Sequence, residues 1–245
     1  IGKYVVTKGS ETVKGDEPAK SDEEVTKTGP TQELAKESDT YKAIVYLDPT
    51  NLTKYCDASN SVSTTGTKEG CMKWYAYGDD GTNYTMILDH NTTAKVTWNS
   101  TGSNSEMKEV KEALEEDIKK WNSSLNARLI TADEIAKITS NIDFNSATST
   151  FDQWFYLDSN NQTQTATSQG TSKYAWLFDY TTGCTGHGCN VMASGNVGYW
   201  TSTSSFDLTN VSWCIGNNGS LLTYYVDTDG FGLRPVITVS KDIIQ

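Results

Sequence analysis

The chain has 245 residues, 31 acidic against 20 basic, for a formal net charge of -11. That balance excludes the clustered Lys and Arg on which binding to nucleic-acid phosphates or to an anionic membrane surface depends. The 36% hydrophobic content suffices for a core, but no run of about 18 apolar residues is present to cross a bilayer.

Residues 1–40 are dominated by Lys, Glu, Asp, Thr and Gly, carry almost no aromatics and show no apolar period. Such a segment cannot bury enough surface to offset its ordering entropy, so it reads as a flexible acidic linker or stalk ahead of one domain at 41–245. Its first residues, Ile-Gly-Lys-Tyr-Val-Val, suit the end of an export or pilin-type apolar helix lying upstream.

From Tyr41 the pattern changes. Lys42 to Asp48 (KAIVYLD), Met72 to Tyr77 and Tyr84 to Leu88 read as strands, the last two joined by the turn signal Asp79-Asp80-Gly81. Ala94 to Trp98 makes a fourth. Between the first two strands, Cys56 and Cys71 flank a Ser/Thr/Gly-rich loop. A disulfide closing it would stabilise the fold by roughly 3 kcal/mol through loop entropy.

Met107, Val110, Leu114, Ile118 and Trp121 recur at spacings of three and four, which predicts a helix over 106–121. Ser105 is its expected N-cap, and Lys119-Lys120 its expected last turn. Thr131-Ala132-Asp133-Glu134 is a capping box that opens a shorter helix with Ile135 and Ile138 inward.

After Ser140 the chain is loop-rich, with Phe151, Trp154, Phe155, Trp176 and Phe178 as aromatic anchors. Cys184 and Cys189 enclose Thr-Gly-His-Gly, a short loop suited to a second disulfide in an oxidising, extracellular compartment. Cys214 is then left over, free unless it pairs with Cys184 or Cys189 instead, which would pin the last hairpin. A lone CxxxxC without a second Cys/His pair is a poor match to structural zinc, and no metal or cofactor is expected.

Strands return at Tyr199 to Thr203, Val211 to Ile215, Ser220 to Val226 and Gly232 to Ser240. The turn Gly216-Asn217-Asn218-Gly219 joins the second and third of these into a hairpin. Helices early and an antiparallel sheet late indicate an α+β domain. Alternation along the hairpin turns Trp213, Ile215, Leu221 and Val226 inward. It leaves Cys214, Asn217, Leu222, Tyr224, Tyr225, Asp227 and Asp229 as a candidate ligand-binding surface. Tyr combined with Asn, Ser, Gly and Asp is the composition of a paratope. No GxSxG, HExxH or phosphate-cradling glycine motif occurs, so no catalytic residue is assigned.

Three stretches, in order, carry a resemblance: Ala127-Arg128-Leu129-Ile130-Thr131-Ala132-Asp133-Glu134; Gly198-Tyr199-Trp200-Thr201-Ser202-Thr203; and Trp213 with Gly219 and Leu221, followed by Gly232-Leu233-Arg234-Pro235-Val236. Together they resemble the C-type-lectin-like superfamily, in the branch of formylglycine-generating-type and gut-bacterial surface domains. Ile130 stands where that family's first motif has proline.

The resemblance implies two helices flanking a small mixed or antiparallel sheet with long loops. It implies structural roles for Trp200, Trp213, Gly232 and Arg234, the arginine bonding carbonyls or a carboxylate beneath the loops. Some relatives are diversified by retroelements in this last segment, which fits its Asn, Ser, Tyr, Asp and Cys residues. The family's calcium loop for sugar binding has no counterpart here. The oxidase branch places its reactive cysteine pair later in the chain than Cys184 and Cys189.

The expected function is therefore an extracellular, adhesin-like domain of a bacterial or phage surface protein, binding a protein or glycan without catalysis. A pilin-like or tail-fibre module that assembles into a surface structure is the alternative, and a formylglycine-generating-type oxidase a more distant one.

Overall fold

The run Ala43–Leu47 (β1, AIVYL) has no polar position, and a strand of that kind needs cover on both faces. It has both. Ile44 and Tyr46 join one hydrophobic cluster, while Ala43, Val45 and Leu47 join another. The computed structural model describes residues 40–61, 68–140, 143–150, 154–155, 174–178, 198–216 and 220–244. The expected tether over residues 1–40 falls almost wholly outside them.

β1 pairs antiparallel with β2 (Met72–Asp79), which forms a hairpin with β3 (Asn83–Leu88). The Asp-Asp-Gly signal closes that hairpin. The Asp80 carboxylate accepts the backbone N–H groups of Thr82 and Asn83, and Gly81 takes a φ of 92° that side chains disfavour. β11 (Pro235–Ser240) and the short β5 (Arg128–Leu129) complete a five-stranded antiparallel sheet in the order β1-β2-β3-β11-β5.

A second sheet has six strands in the order β4-β10-β7-β8-β9-β6. These are β4 (Thr93–Val96), β10 (Phe231–Leu233), β7 (Gly198–Ser204), β8 (Val211–Gly216), β9 (Ser220–Tyr225) and β6 (Trp154–Phe155). Only the β10–β7 pair is parallel. The fold is thus mixed α+β and mostly sheet. Where a single small sheet was expected there are two, because the early strands β1–β3 recruit β11 while β4 joins β10 instead.

One cluster lies between the sheets, joining Tyr75, Ile87 and Val236 of the first to Tyr199, Trp213 and Ile215 of the second. Helix α2 (Ala132–Ile138) adds Ile135 and Ala136 to it, and the single-turn α3 (Ala175–Phe178) adds Trp176 and Leu177. The capping box at Thr131 is present: its hydroxyl accepts from Glu134 N–H and the Glu134 carboxylate accepts from Thr131 N–H. Arg128 clamps the same carboxylate at 2.6 and 2.8 Å, and Tyr77 donates to it at 2.9 Å, so α2 is pinned to β2 and β5.

A second cluster covers the outer face of the first sheet with Trp121, Leu125 and Ile244 of the single-turn α4 (Lys241–Ile244). The third lies on the other face of the second sheet, beneath α1 (Lys108–Ile118) with its buried Val110 and Leu114.

The first helix is shorter than its apolar period predicts. Ser105 does not cap it; Met107 holds the N-cap position without a side-chain bond. The preceding loop is held by other contacts, since Asn99 donates to Glu106 O and Asn104 is drawn away to the second sheet. Lys119 sits at the C-cap and Lys120 beyond it, the first paired with Glu116 and the second with Glu69. Trp121 also lies past the helix, buried edge-on against Trp74 with its indole N–H donated to Lys68 O.

Candidate ligand-binding surface

Successive residues of β8 and β9 point to opposite faces, and both faces of this hairpin are covered over most of its length. Trp213, Ile215 and Leu221 turn to the cluster between the sheets. Cys214 turns to the cluster beneath α1 and is fully buried; Leu222, on the same side, is half-buried against it. Neither residue forms the open surface that alternation assigns to it, because α1, Trp98, Trp200 and Phe231 cover that face. Burial also pushes the Cys214 thiol pKa well above its ordinary value. Val226 is inward as expected, but in the cluster beneath α1 rather than with Trp213. Asn217 lies outside the described residues.

The cover ends where β9 ends. Tyr224 is 41% exposed and Tyr225 55%, with ring centroids 6.2 Å apart. Tyr224 rests against the buried Phe231 at 5.1 Å, which anchors one ring and leaves its outer side to solvent. Asp227 and Asp229 follow on an exposed turn in which Thr228 N–H bonds Tyr225 O.

The loop 205–210 between β7 and β8 lies at this same end. Val211 pairs with Tyr225, and Val226 N–H donates to Asn210 O at 3.0 Å. Two of its side chains were not anticipated as surface residues: Phe206 is 52% exposed and Leu208 38%. Asn104 clasps the loop from about a hundred residues away. Its side-chain amide donates to Leu208 O (2.7 Å) and Val211 O (2.8 Å), lies 3.0 Å from Ser205 O, and its backbone N–H donates to Thr209 O. The local signal was Ser-Ser-Phe-Asp-Leu-Thr-Asn, two large apolar residues in a polar loop with no periodic partner.

The charge at this end has one sign. No Lys or Arg occurs between Lys173 and Arg234, and Arg234 is buried. The exposed ionisable groups on the two loops are Asp207, Asp227 and Asp229.

Beneath the surface, the residues expected to be structural are all buried. Trp200 donates its indole N–H to Val96 O at 2.8 Å and stacks edge-on against Trp98. Trp213 packs edge-on against Phe144 at 4.8 Å. A Cβ on Gly232 would lie 2.3 Å from Asn91 Nδ2 and 2.6 Å from Thr93 O, so only glycine fits between β4 and β7. Arg234 donates to three carbonyls, Leu88 O (2.5 Å), Trp176 O (2.7 Å) and Leu177 O (2.9 Å), and its guanidinium lies 5.5 Å from the Tyr199 ring centre. Burial raises the Tyr199 hydroxyl to about 12, and that hydroxyl donates to Leu177 O.

Cys56 and Cys71 form a disulfide; Cys184 and Cys189 lie outside the described residues. Among the described residues no group of three or more His, Cys, Asp or Glu side chains is placed to hold a metal ion, and no helix is long and apolar enough to cross a membrane. No protein-family model matches the chain, nor does any curated protein or solved structure.

Proposed function

We propose that this chain is an extracellular ligand-binding domain of a surface protein, C-type-lectin-like in fold and adhesin-like in use. It binds a protein or glycan without catalysis, through the end of its second sheet. One observation carries the reading. Of the five large hydrophobic side chains exposed among the described residues, four (Phe206, Leu208, Tyr224 and Tyr225) sit on two adjoining loop ends. Scattered exposed apolar residues need no explanation, but a concentration of them on a polar, acidic chain marks an interaction surface. The Cys56–Cys71 disulfide suits the oxidising compartment in which such a domain works.

The test is binding of the whole chain and its Tyr224→Ala/Tyr225→Ala variant to glycan and protein arrays, with and without a calcium chelator. Aromatic anchors at the centre of an interface contribute about 2 kcal/mol or more each, so the double variant, short of about 4 kcal/mol, should lose roughly a thousandfold in affinity. A signal that survives the chelator and disappears in the variant supports a metal-free aromatic surface. Equal binding by both proteins removes the surface from the reading. Self-association in solution that is lost in the variant points instead to a module that assembles with copies of itself.

A further inference from the structure

Resting on that proposed surface, we infer that its partner is a protein presenting a Lys- or Arg-bearing segment, whose side-chain stems lie across Tyr224, Tyr225 and Phe206 and whose cationic heads reach Asp207, Asp227 and Asp229. The aromatic area alone does not select this occupant; the charge around it does. The two loops carry three exposed carboxylates and no cation, within a stretch without Lys or Arg from residue 174 to 233. Lys95 and Lys108 belong to β4 and α1 rather than to the two loops. An acidic partner would meet uncompensated like charge here, and a neutral one would leave three carboxylates at its rim unused.

A basic side chain fits both halves of the surface. Its methylene stem covers apolar ring area while its head stays near water and carboxylate. A guanidinium or ammonium over a Tyr face gains further from the ring quadrupole. The spacing suits this division, because Asp227 and Asp229 follow Tyr225 by two and four residues around a hydrogen-bonded turn, and Asp207 directly follows Phe206. The net charge of -11 adds long-range attraction for a cationic segment.

The experiment uses the whole chain on an array of random short peptides at two salt concentrations. It compares wild type with D207N/D227N/D229N, which keeps the shape of all three exposed side chains, and with Y224A/Y225A. Urea midpoints establish that both variants fold. The expected result is that wild type selects peptides rich in Lys and Arg, more weakly at high salt. The Asn variant should lose about tenfold in affinity for them together with the salt dependence, and the Ala variant should lose binding altogether. Binding that needs the tyrosines but shows no preference for basic peptides, or is unchanged in the Asn variant, overturns this inference and leaves the proposed surface standing. Binding to no peptide overturns this inference and leaves a glycan as the occupant of the proposed surface, whereas peptide binding indifferent to the tyrosines overturns both.

Discussion

Replacing Arg234 with Met tests whether the closing Gly-Leu-Arg element acts as a clamp. The side chain is fully buried and donates to the carbonyls of Leu88 at the end of β3 and of Trp176 and Leu177 in α3. Met fills much of the stem but donates nothing, so three buried carbonyls lose a charged donor. A buried polar group left without its partner costs about 1–3 kcal/mol. Leu177 O keeps the Tyr199 hydroxyl, so the full penalty falls on Leu88 O and Trp176 O. Allowing for local relaxation and for entry of water, the sum is about 2–5 kcal/mol, a large fraction of the 5–15 kcal/mol typical of a domain. At about 2–4 °C per kcal/mol for a domain of this size, the thermal midpoint should fall by roughly 4–20 °C. Urea unfolding followed by tryptophan fluorescence reads this directly, since Trp176, whose carbonyl the arginine holds, is buried, as are Trp200 and Trp213. Arg234→Lys should recover little of the loss, because a point ammonium cannot replace a planar fork aimed at three acceptors. A Met variant within about 1 kcal/mol of wild type would refute the clamp.

Three other outcomes follow from the buried polar groups. Asp117 accepts from Thr92 Oγ1 (2.5 Å) and Thr93 Oγ1 (2.6 Å) and pairs with Lys68. Asp117→Ala should therefore cost about 2–4 kcal/mol in urea unfolding, whereas Lys68→Ala, at a half-exposed ammonium, should cost under about 1 kcal/mol. Comparable losses would mean that the ion pair to Lys68, rather than the threonine bonds that tie α1 to β4, carries the contribution of Asp117. The Cys214 thiol should be alkylated by iodoacetamide no faster than the protein unfolds, being buried with a raised pKa; rapid labelling of the native protein would put it at the surface after all. Burial acts to raise the Glu134 carboxyl, but bonds from Arg128, Thr131 N–H and Tyr77 outweigh it and hold the pKa below its ordinary 4.5. A depressed carboxylate contributes stability that is full above its unfolded pKa and is lost as pH falls through the folded one. The stability gap between wild type and Glu134→Gln should accordingly narrow below about pH 4.5; a gap independent of pH would exclude this carboxylate as its source.

What the sequence disclosed depended on how local the cause was. The Thr131 capping box, the Asp79-Asp80-Gly81 turn and the Cys56–Cys71 loop are each decided within a few residues or by one closed loop, and each was legible. The start of α1 was not. Ser105 has the chemistry of a cap, but Asn104 beside it is committed to carbonyls of the 205–210 loop, and no periodicity reports a contact across about a hundred residues. The hairpin failed for a related reason. Alternation tells which residues of β8 and β9 share a face, and says nothing of whether another element covers that face. Cys214 and Leu222 share theirs with Tyr224, yet only the tyrosine is open, because the apolar stripe of α1 and the Trp98–Trp200 pair end before it. The free surface is therefore set by where cover runs out along the strand rather than by which side of it a residue occupies. That moves the proposed site from the face of the hairpin to its end. It also brings in Phe206 and Leu208, which belong to no strand pattern but lie where β9 emerges from under its helix.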